Sequence, residues 1–145
     1  MENQTTVKAY IMFSGNDDFE LEAITQALQT LPTNSWKVGQ RMKADHAINK
    51  FTYPYTAWCY EPNLDASAPL ETWLVALKDV FEQHTDLLNH LIETYNLDVQ
   101  IEVVSHIING EAPKFIITPE ISRFLASIHA YLDFDIYTHA YSPQT

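Results

Sequence analysis

The segment from Leu132 to His139 constrains the fold of this chain most, because apolar and polar residues alternate along it without a break. Side chains on a β-strand point alternately to its two faces. The spacing therefore predicts a strand that turns Phe134, Ile136 and Thr138 toward a core. The other face carries two carboxylates, a phenol and an imidazole: Asp133, Asp135, Tyr137 and His139. Such alternation is typical of a sheet that is covered on one side and open on the other.

Length and composition are those of a packed globular protein. A chain of 145 residues can bury about two-thirds of the surface that its unfolded form exposes. Hydrophobic residues make up 46% of the chain and glycines number only three, which argues against a disordered or fibrous protein. No Gly/Ser-rich linker, low-complexity tract or clear repeat divides it. We therefore predict one domain spanning residues 1–145.

The sequence also indicates the cellular compartment in which the protein resides. Cys59 is the single cysteine, so an internal disulfide is excluded. Residues 1–10 lack a basic region followed by an apolar run, and no stretch approaches the ~20 apolar residues of a membrane span. We expect a cytoplasmic protein in a reducing compartment, with no membrane partner.

The net charge of −11 is distributed unevenly along the chain. Residues 37–50 carry four basic residues and one acidic residue, whereas residues 51–145 carry thirteen acidic and three basic residues. An acidic field of this size repels nucleic acid and anionic membranes, and it accelerates docking of a basic protein. Two interpretations stay open: acidity that serves solubility alone, and an acidic surface for a basic partner such as a toxin.

Hydrophobic periodicity predicts the order strand, helix, strand, two helices, hairpin, helix, strand. Asn109-Gly110 is a strong hairpin signal, so we expect residues 114–118 to form a strand antiparallel to the one before it. Thr118-Pro119-Glu120 supplies a cap, a first-turn proline and an acid for the last helix. Residues 32–54 are predicted as a loop with Trp36 as a core anchor. The order indicates an α+β fold with a mixed or mostly antiparallel sheet and helices packed mainly on one face.

Two segments and one tryptophan resemble the bacterial DUF4279 family, named for a domain of unknown function. The opening motif comprises Gly15-Asn16-Asp17-Asp18-Phe19, Ile24-Thr25, Leu28, Pro32-Thr33, Trp36 and Gly39. The closing motif comprises Pro113, Phe115, Ile117, Glu120-Ile121, Leu125-Ala126, Ala130 and the run from Leu132 to Tyr137. Trp58 stands where the family has a strand tryptophan. The chain lacks the proline common early in the family's first helix, and the resemblance brings no catalytic residue.

Motifs that carry chemistry are missing from the sequence. The six histidines form neither a His-Glu-x-x-His nor a His-x-His pair, and a single cysteine excludes a thiolate zinc site within one chain. Cys59, in an aromatic strand, is interpreted as a buried small hydrophobe. Neither a phosphate-binding glycine loop nor a Gly-x-Ser-x-Gly elbow is present. We predict no catalytic residue, no metal site and no cofactor.

If the helices cover one sheet face, the other becomes an acidic, aromatic surface, which is our candidate for partner binding. Its predicted residues are Tyr10, Met12, Glu102, His106, Asp133, Asp135, Tyr137 and His139. The favoured hypothesis is a non-enzymatic protein-binding domain, of the kind that serves as an immunity or antitoxin-like inhibitor. One alternative is a small-molecule-binding or hydrolytic enzyme that uses Asp133, Asp135 and His139. Another is an oligomeric structural protein, such as a homodimer, whose exposed strand pairs with itself.

Overall fold

The periodic segments form five strands and a set of helices in the part of the chain that the computed structural model describes, residues 4–42 and 51–139. The strands are β1 (Thr6–Gly15), β2 (Asn34–Trp36), β3 (Thr56–Tyr60), β4 (Asp98–Ile107) and β5 (Ala130–Thr138). The helices are α1 (Leu21–Leu28), α2 (Leu70–Phe81), α3 (Thr85–Tyr95) and α4 (Pro119–Ser127), with a 3-10 turn (Glu82–His84) between α2 and α3. None of these helices is long and apolar enough to cross a membrane.

The strands form one open mixed sheet in the order β2-β3-β1-β4-β5. Neighbouring strands are antiparallel except β4 and β5, which run parallel. Parallel neighbours need a crossover connection, and the segment containing α4 supplies it. The predicted α+β class and the predicted mixed sheet are confirmed.

The helices cover one face of this sheet, and the core lies between them. β1 shows the pattern most clearly, since Val7, Ala9, Ile11 and Phe13 are all buried. The helical residues that pack with them are Ile24, Leu28, Leu70, Trp73, Leu74, Leu77, Phe81, Leu88, Ile121, Phe124 and Leu125. Burying one such large side chain contributes about 1.5–3 kcal/mol. The prediction that helices lie mainly on one face is confirmed, and no helix within residues 4–42 and 51–139 covers the opposite face.

The predicted hairpin after β4 is wrong, although its turn forms. Asn109 and Gly110 both take positive φ angles, 54° and 72°, and the Glu111 N–H donates to the carbonyl of Ile108 at 3.0 Å. The following residues 114–118 nevertheless have no regular secondary structure. A strand has two edges for pairing, and those of β4 are occupied by β1 and β5.

The prediction that Phe134, Ile136 and Thr138 face a closed core is also wrong. These side chains do lie on the helical side of the sheet, but Phe134 is 39% exposed, Ile136 is 47% exposed, and Thr138 is exposed as well. β5 is an edge strand, and only its first residues pack against the core, where Ala130 and Leu132 are half-buried. The alternation of apolar and polar residues therefore identified the face on which these side chains lie. Whether they are buried depends on the helices that pack against that face.

The segment predicted as an irregular loop contains the short strand β2, which pairs with β3. Trp36, at its end, is half-buried and is not in the core. Its ring stacks on that of Tyr53, with centroids 4.6 Å apart, on the face away from the helices. Of the basic residues predicted to cluster in this loop, Lys43 and Lys50 lie outside the described residues.

Candidate functional site

The sheet face that the helices leave uncovered is the candidate site, and we call its β1, β4 and β5 residues the open face. Strand register brings these side chains together, because residues paired across a sheet point to the same side. Tyr10 lies opposite Glu102, which lies opposite Asp133. The open face comprises Lys8, Tyr10, Met12, Asp98, Gln100, Glu102, Val104, His106, Tyr131, Asp133, Asp135 and Tyr137.

The residues predicted from the sequence as a partner surface all lie on this side of the sheet. Seven of them are strand residues of the open face: Tyr10, Met12, Glu102, His106, Asp133, Asp135 and Tyr137. The eighth, His139, follows β5 directly, and its ring contacts that of His106. The structure thus brings these side chains onto one surface.

Glu102 lies at the centre of the open face and is only 7% exposed. Gln100 Nε2 donates to Glu102 Oε2 at 2.6 Å and reaches Asp133 Oδ2 at 3.4 Å. Burial is the largest cause of a raised pKa for Glu102; the Gln100 hydrogen bond opposes the rise, and the hydrogen bond and charge of Asp133 add to it. Burial and the nearby Asp133 therefore both disfavour the charged form of Glu102.

Tyr10 is the aromatic neighbour of this carboxyl pair. Burial, with a smaller effect from the charge of Glu102, raises the pKa of Tyr10 to about 12. Its phenol stays neutral at physiological pH and is available as a hydrogen-bond donor or acceptor.

Two tyrosines of β5 hold an exposed and a half-buried carboxylate in place, those of Asp98 and Asp135. The Tyr131 hydroxyl lies 2.9 Å from Asp98 Oδ2 and 2.8 Å from Gln100 Oε1, and the hydrogen bond with Asp98 is the main reason that the pKa of Tyr131 rises to about 12. The Tyr137 hydroxyl donates to Asp135 Oδ2 at 2.9 Å, which raises the pKa of Tyr137. These contacts orient the carboxylates along the exposed rim of the sheet.

Three polar side chains that β4 and β5 place on the open face were missed by the sequence analysis: Asp98, Gln100 and Tyr131. The signal was present, because Tyr131 precedes Asp133 by two positions and Gln100 precedes Glu102 by two. Residues two apart on a strand share a face. Extending each alternating run by one or two steps toward its start would have found them.

Aromatic rings form the far end of the open face. The rings of His106 and Tyr137 stack with centroids 5.0 Å apart and planes 14° apart. His106 Nδ1 lies 3.0 Å from His139 Nε2, so one of these nitrogens donates and the other accepts. His139 is therefore engaged with His106 and is not directed at the aspartates of β5.

The Asp133, Asp135 and His139 row does not converge on one point. An extended strand rises about 3.3 Å per residue, so Asp135 and His139 are separated by roughly 13 Å along β5. Asp135 instead bonds Tyr137, and Asp133 lies beside Gln100. Within residues 4–42 and 51–139, no group of three or more His, Cys, Asp or Glu side chains is placed to hold a metal ion.

Cys59 lies in β3, on the same side of the sheet as the open face, and is only 5% exposed. Burial raises the pKa of its thiol to about 12, so the reactive thiolate is not formed at neutral pH. The interpretation of Cys59 as a small buried hydrophobe agrees with this placement.

Shallow pockets that are open to solvent lie between the side chains on this side of the sheet. One of about 530 Å³ includes Met12, Tyr55 and Gln100 in its lining. A second, of about 380 Å³, lies between Tyr10, Trp36 and Cys59. A third, of about 250 Å³, is lined in part by Lys8, Tyr10 and His106. The surface is therefore uneven, with pockets large enough to hold individual side chains.

Fold and site together define an α+β domain with an open sheet face that bears carboxylates and tyrosines. A family model described as Domain of unknown function (DUF4279) matches residues 4–139, nearly the whole chain. The chain belongs to the DUF4279 family, and the resemblance drawn from its opening and closing motifs is confirmed. Neither the curated proteins nor the solved structures contain a significant match to it.

Proposed function

We propose that this DUF4279 protein is a non-enzymatic protein-binding domain whose open face covers a basic surface of a partner protein. The observation that carries the proposal is the continuous band of carboxylates and tyrosines on β4 and β5, on a face that none of the helices in the described part of the chain covers. The band consists of Asp98, Glu102, Tyr131, Asp133, Asp135 and Tyr137.

Electrostatics supports a basic partner. Asp98 and Asp133 are exposed and Asp135 is half-buried, in a chain whose net charge is −11. Rim carboxylates of this kind act mainly by steering a cationic partner into contact and by disfavouring acidic ones. The binding they support is expected to weaken as salt screens the charges.

Preorganised aromatic side chains supply contact area. Tyr131 and Tyr137 are 44% and 46% exposed, yet their hydroxyls are held by Asp98 and by Asp135. Tyrosine offers a large amphipathic surface, and a side chain that is already ordered loses little entropy on binding. The carboxylates of Asp98 and Asp135 also lose little entropy on binding, because the hydroxyls of Tyr131 and Tyr137 already fix their orientation.

The biological form that we propose is an immunity or antitoxin-like inhibitor, in which this surface masks a basic toxin. Two features of the chain favour such a role: its strong negative charge and a binding surface on rigid strands instead of loops. Fast, electrostatically steered association suits an inhibitor that must neutralise its target on contact.

The test is capture of partners from a lysate of the source organism with a charge-matched pair of variants. The open-face variant is Asp98→Asn/Asp133→Asn/Asp135→Asn. The control removes the same charge from exposed helical positions, as Glu22→Gln/Asp79→Asn/Glu93→Gln. We expect wild type and control to retain one basic protein in stoichiometric amount, and the open-face variant to lose it by about tenfold or more.

High salt should release the retained protein from wild type as well. Equal retention by the open-face variant would overturn the proposal, because the carboxylates of the open face would then be irrelevant to binding. Equal loss from both triple variants would show that net charge alone matters and would also contradict a specific surface.

A further inference from the structure

We infer that the outer edge of β5 binds an extended segment of the partner as an added strand, in which apolar and basic residues alternate. This inference rests on the proposed function and specifies how the partner docks and what chemistry its docking segment has. Three observations support it: the direction of the backbone groups of β5, its exposed apolar side chains and its acidic side.

Some backbone N–H and C=O groups of β5 point toward the outer edge of the sheet. β5 is the last strand of the sheet and, among the described residues, pairs with β4 alone. The His139 N–H donates to the carbonyl of Ile107 in β4 at 3.0 Å. Backbone groups of successive strand residues point to opposite edges, so those of Tyr137 and Asp135 also point toward β4. The N–H and C=O groups of Phe134 and Ile136 therefore point outward, away from the sheet.

The helical side of this edge is apolar and incompletely covered. Phe134 and Ile136 are 39% and 47% exposed. The ring of Phe115 contacts that of Phe134 with centroids 5.3 Å apart, and the next residue in the chain, Ile116, is 51% exposed. Apolar side chains of an added strand would lie beside Phe134 and Ile136 and extend the core past the present edge.

The opposite side of the same edge is acidic. Asp133 and Asp135 alternate with Phe134 and Ile136, so their side chains lie on the open face. Residues of an added strand directly opposite them would have Cβ atoms about 4.5–5.5 Å away. Lysine or arginine there would pair with the carboxylates and lay its aliphatic stem along the exposed tyrosine rings.

Charge favours such a partner over a second copy of this chain. Antiparallel self-pairing centred on Phe134 would place Asp133 of each copy opposite Asp135 of the other. Directly opposed like charges destabilise a strand pair, and inward or edge charges are a common means of preventing edge-to-edge association. The same two carboxylates therefore disfavour a homodimer through β5 and favour a basic strand.

The experiment uses a defined probe, a nine-residue peptide in which valine and lysine alternate. Amide hydrogen exchange of the full-length protein is followed by NMR with and without the peptide, and its Kd is measured by calorimetry. We expect slowed exchange at Phe134 and Ile136, and no binding of the matching peptide in which glutamate replaces every lysine. Asp133→Asn/Asp135→Asn should weaken binding of the lysine peptide by about tenfold.

The variant Ile136→Pro provides a second, independent test of strand addition to β5. Proline is tolerated on an edge strand where its N–H would face solvent, so pairing with β4 should persist while one outward donor is lost. We expect a native NMR spectrum and a severalfold weaker Kd for the lysine peptide. If the variant does not fold, amide protection in the wild-type protein still decides the question.

The outcomes separate this inference from the proposed function. Binding of the lysine peptide without protection of Phe134 and Ile136 would overturn strand addition and leave the open face as the docking surface. Binding of the glutamate peptide with equal affinity would overturn the assigned partner chemistry. Failure of the lysine peptide to bind would also overturn the inference, while the proposed function would still be judged by capture with the triple variants.

Discussion

At the scale of single residues, Glu102 is the most informative side chain of the open face. It is a nearly buried carboxyl group opposite a second one, Asp133, and it has Gln100 as its hydrogen-bond donor. Burial and the nearby carboxylate both disfavour its charged form, so the pKa of Glu102 is raised. The hydrogen bond that Gln100 donates to Glu102 Oε2 offsets part of this cost.

The raised pKa has a defined consequence for stability. A carboxyl group whose pKa is higher in the folded state stabilises the fold below its ordinary pKa of 4.5, and this contribution is lost as pH rises through the folded value. We expect Glu102→Gln to raise the free energy of unfolding at pH 7 by about 0.5 kcal/mol, the scale of one cross-strand pair. The gain should vanish below the ordinary pKa. Urea unfolding at both pH values measures it.

Glu22→Gln, at an exposed position of α1, serves as the control and should not reproduce this pH-dependent gain. A gain from Glu102→Gln that is equally large at acid pH would contradict the electrostatic explanation. It would then have to come from packing or from hydrogen bonding of the new amide.

At the scale of elements, the segment between β4 and β5 shows that local residue preferences determine a turn, whereas tertiary pairing determines which strands are neighbours. Asn109-Gly110 forms the turn that its residue types predict, with both φ angles positive. The chain after it does not pair back, because β5 takes that edge of β4. A nine-residue parallel pairing outweighs the local preference of a short hairpin, and α4 connects the two parallel strands.

The cap of α4 makes this connection testable. Thr118 Oγ1 accepts a hydrogen bond from the Ile121 N–H at 3.3 Å, and Pro119 follows in the first turn, as the sequence predicted. We expect Thr118→Ala to lower the free energy of unfolding by about 1 kcal/mol. Thr118→Ser, which keeps the hydroxyl, should stay close to wild type. Chemical denaturation of both variants measures the difference; equal losses would show that the methyl group matters instead of the cap.

At the scale of the whole molecule, negative charge lies on the same edge that a partner strand would use. Asp133 and Asp135 border an exposed strand whose other side is apolar. Edge strands of this kind promote self-association unless charge prevents it. We therefore expect the acidic residues of β5 to have two effects: attraction of a basic partner, and repulsion between copies of the chain.

Replacing the carboxylates of Asp133 and Asp135 should allow copies of the chain to associate. We expect Asp133→Thr/Asp135→Thr to self-associate at concentrations where wild type is monomeric, because threonine favours strands and carries no charge. Asp133→Lys/Asp135→Lys restores like-charge repulsion and should stay monomeric. Light scattering after size-exclusion chromatography gives the mass of each. A threonine variant that stays monomeric would contradict a role for these carboxylates in edge protection.

Much of this fold was predictable because its signals are local. The buried stripe of β1, the period of α2 and the cap at Thr118 each depend on residues within a few positions of one another. Placement of the candidate surface was predictable for the same reason: alternation assigns side chains to one sheet face or the other. The contacts within that surface were not, since Tyr131 reaches Asp98 across 33 positions of sequence.

The sequence by itself determined most of the strands and helices, which side of those strands is apolar, and that the exposed side of β5 is acidic. It did not predict β2, and it predicted a strand over residues 114–118 that does not form. Only the tertiary structure decided that β5 pairs parallel with β4, that Phe134 and Ile136 stay partly exposed, and that Trp36 stacks on Tyr53 outside the core. The physical reason is competition. Each strand edge and each apolar surface can be covered once, and which segment covers it depends on the free energy of the whole chain.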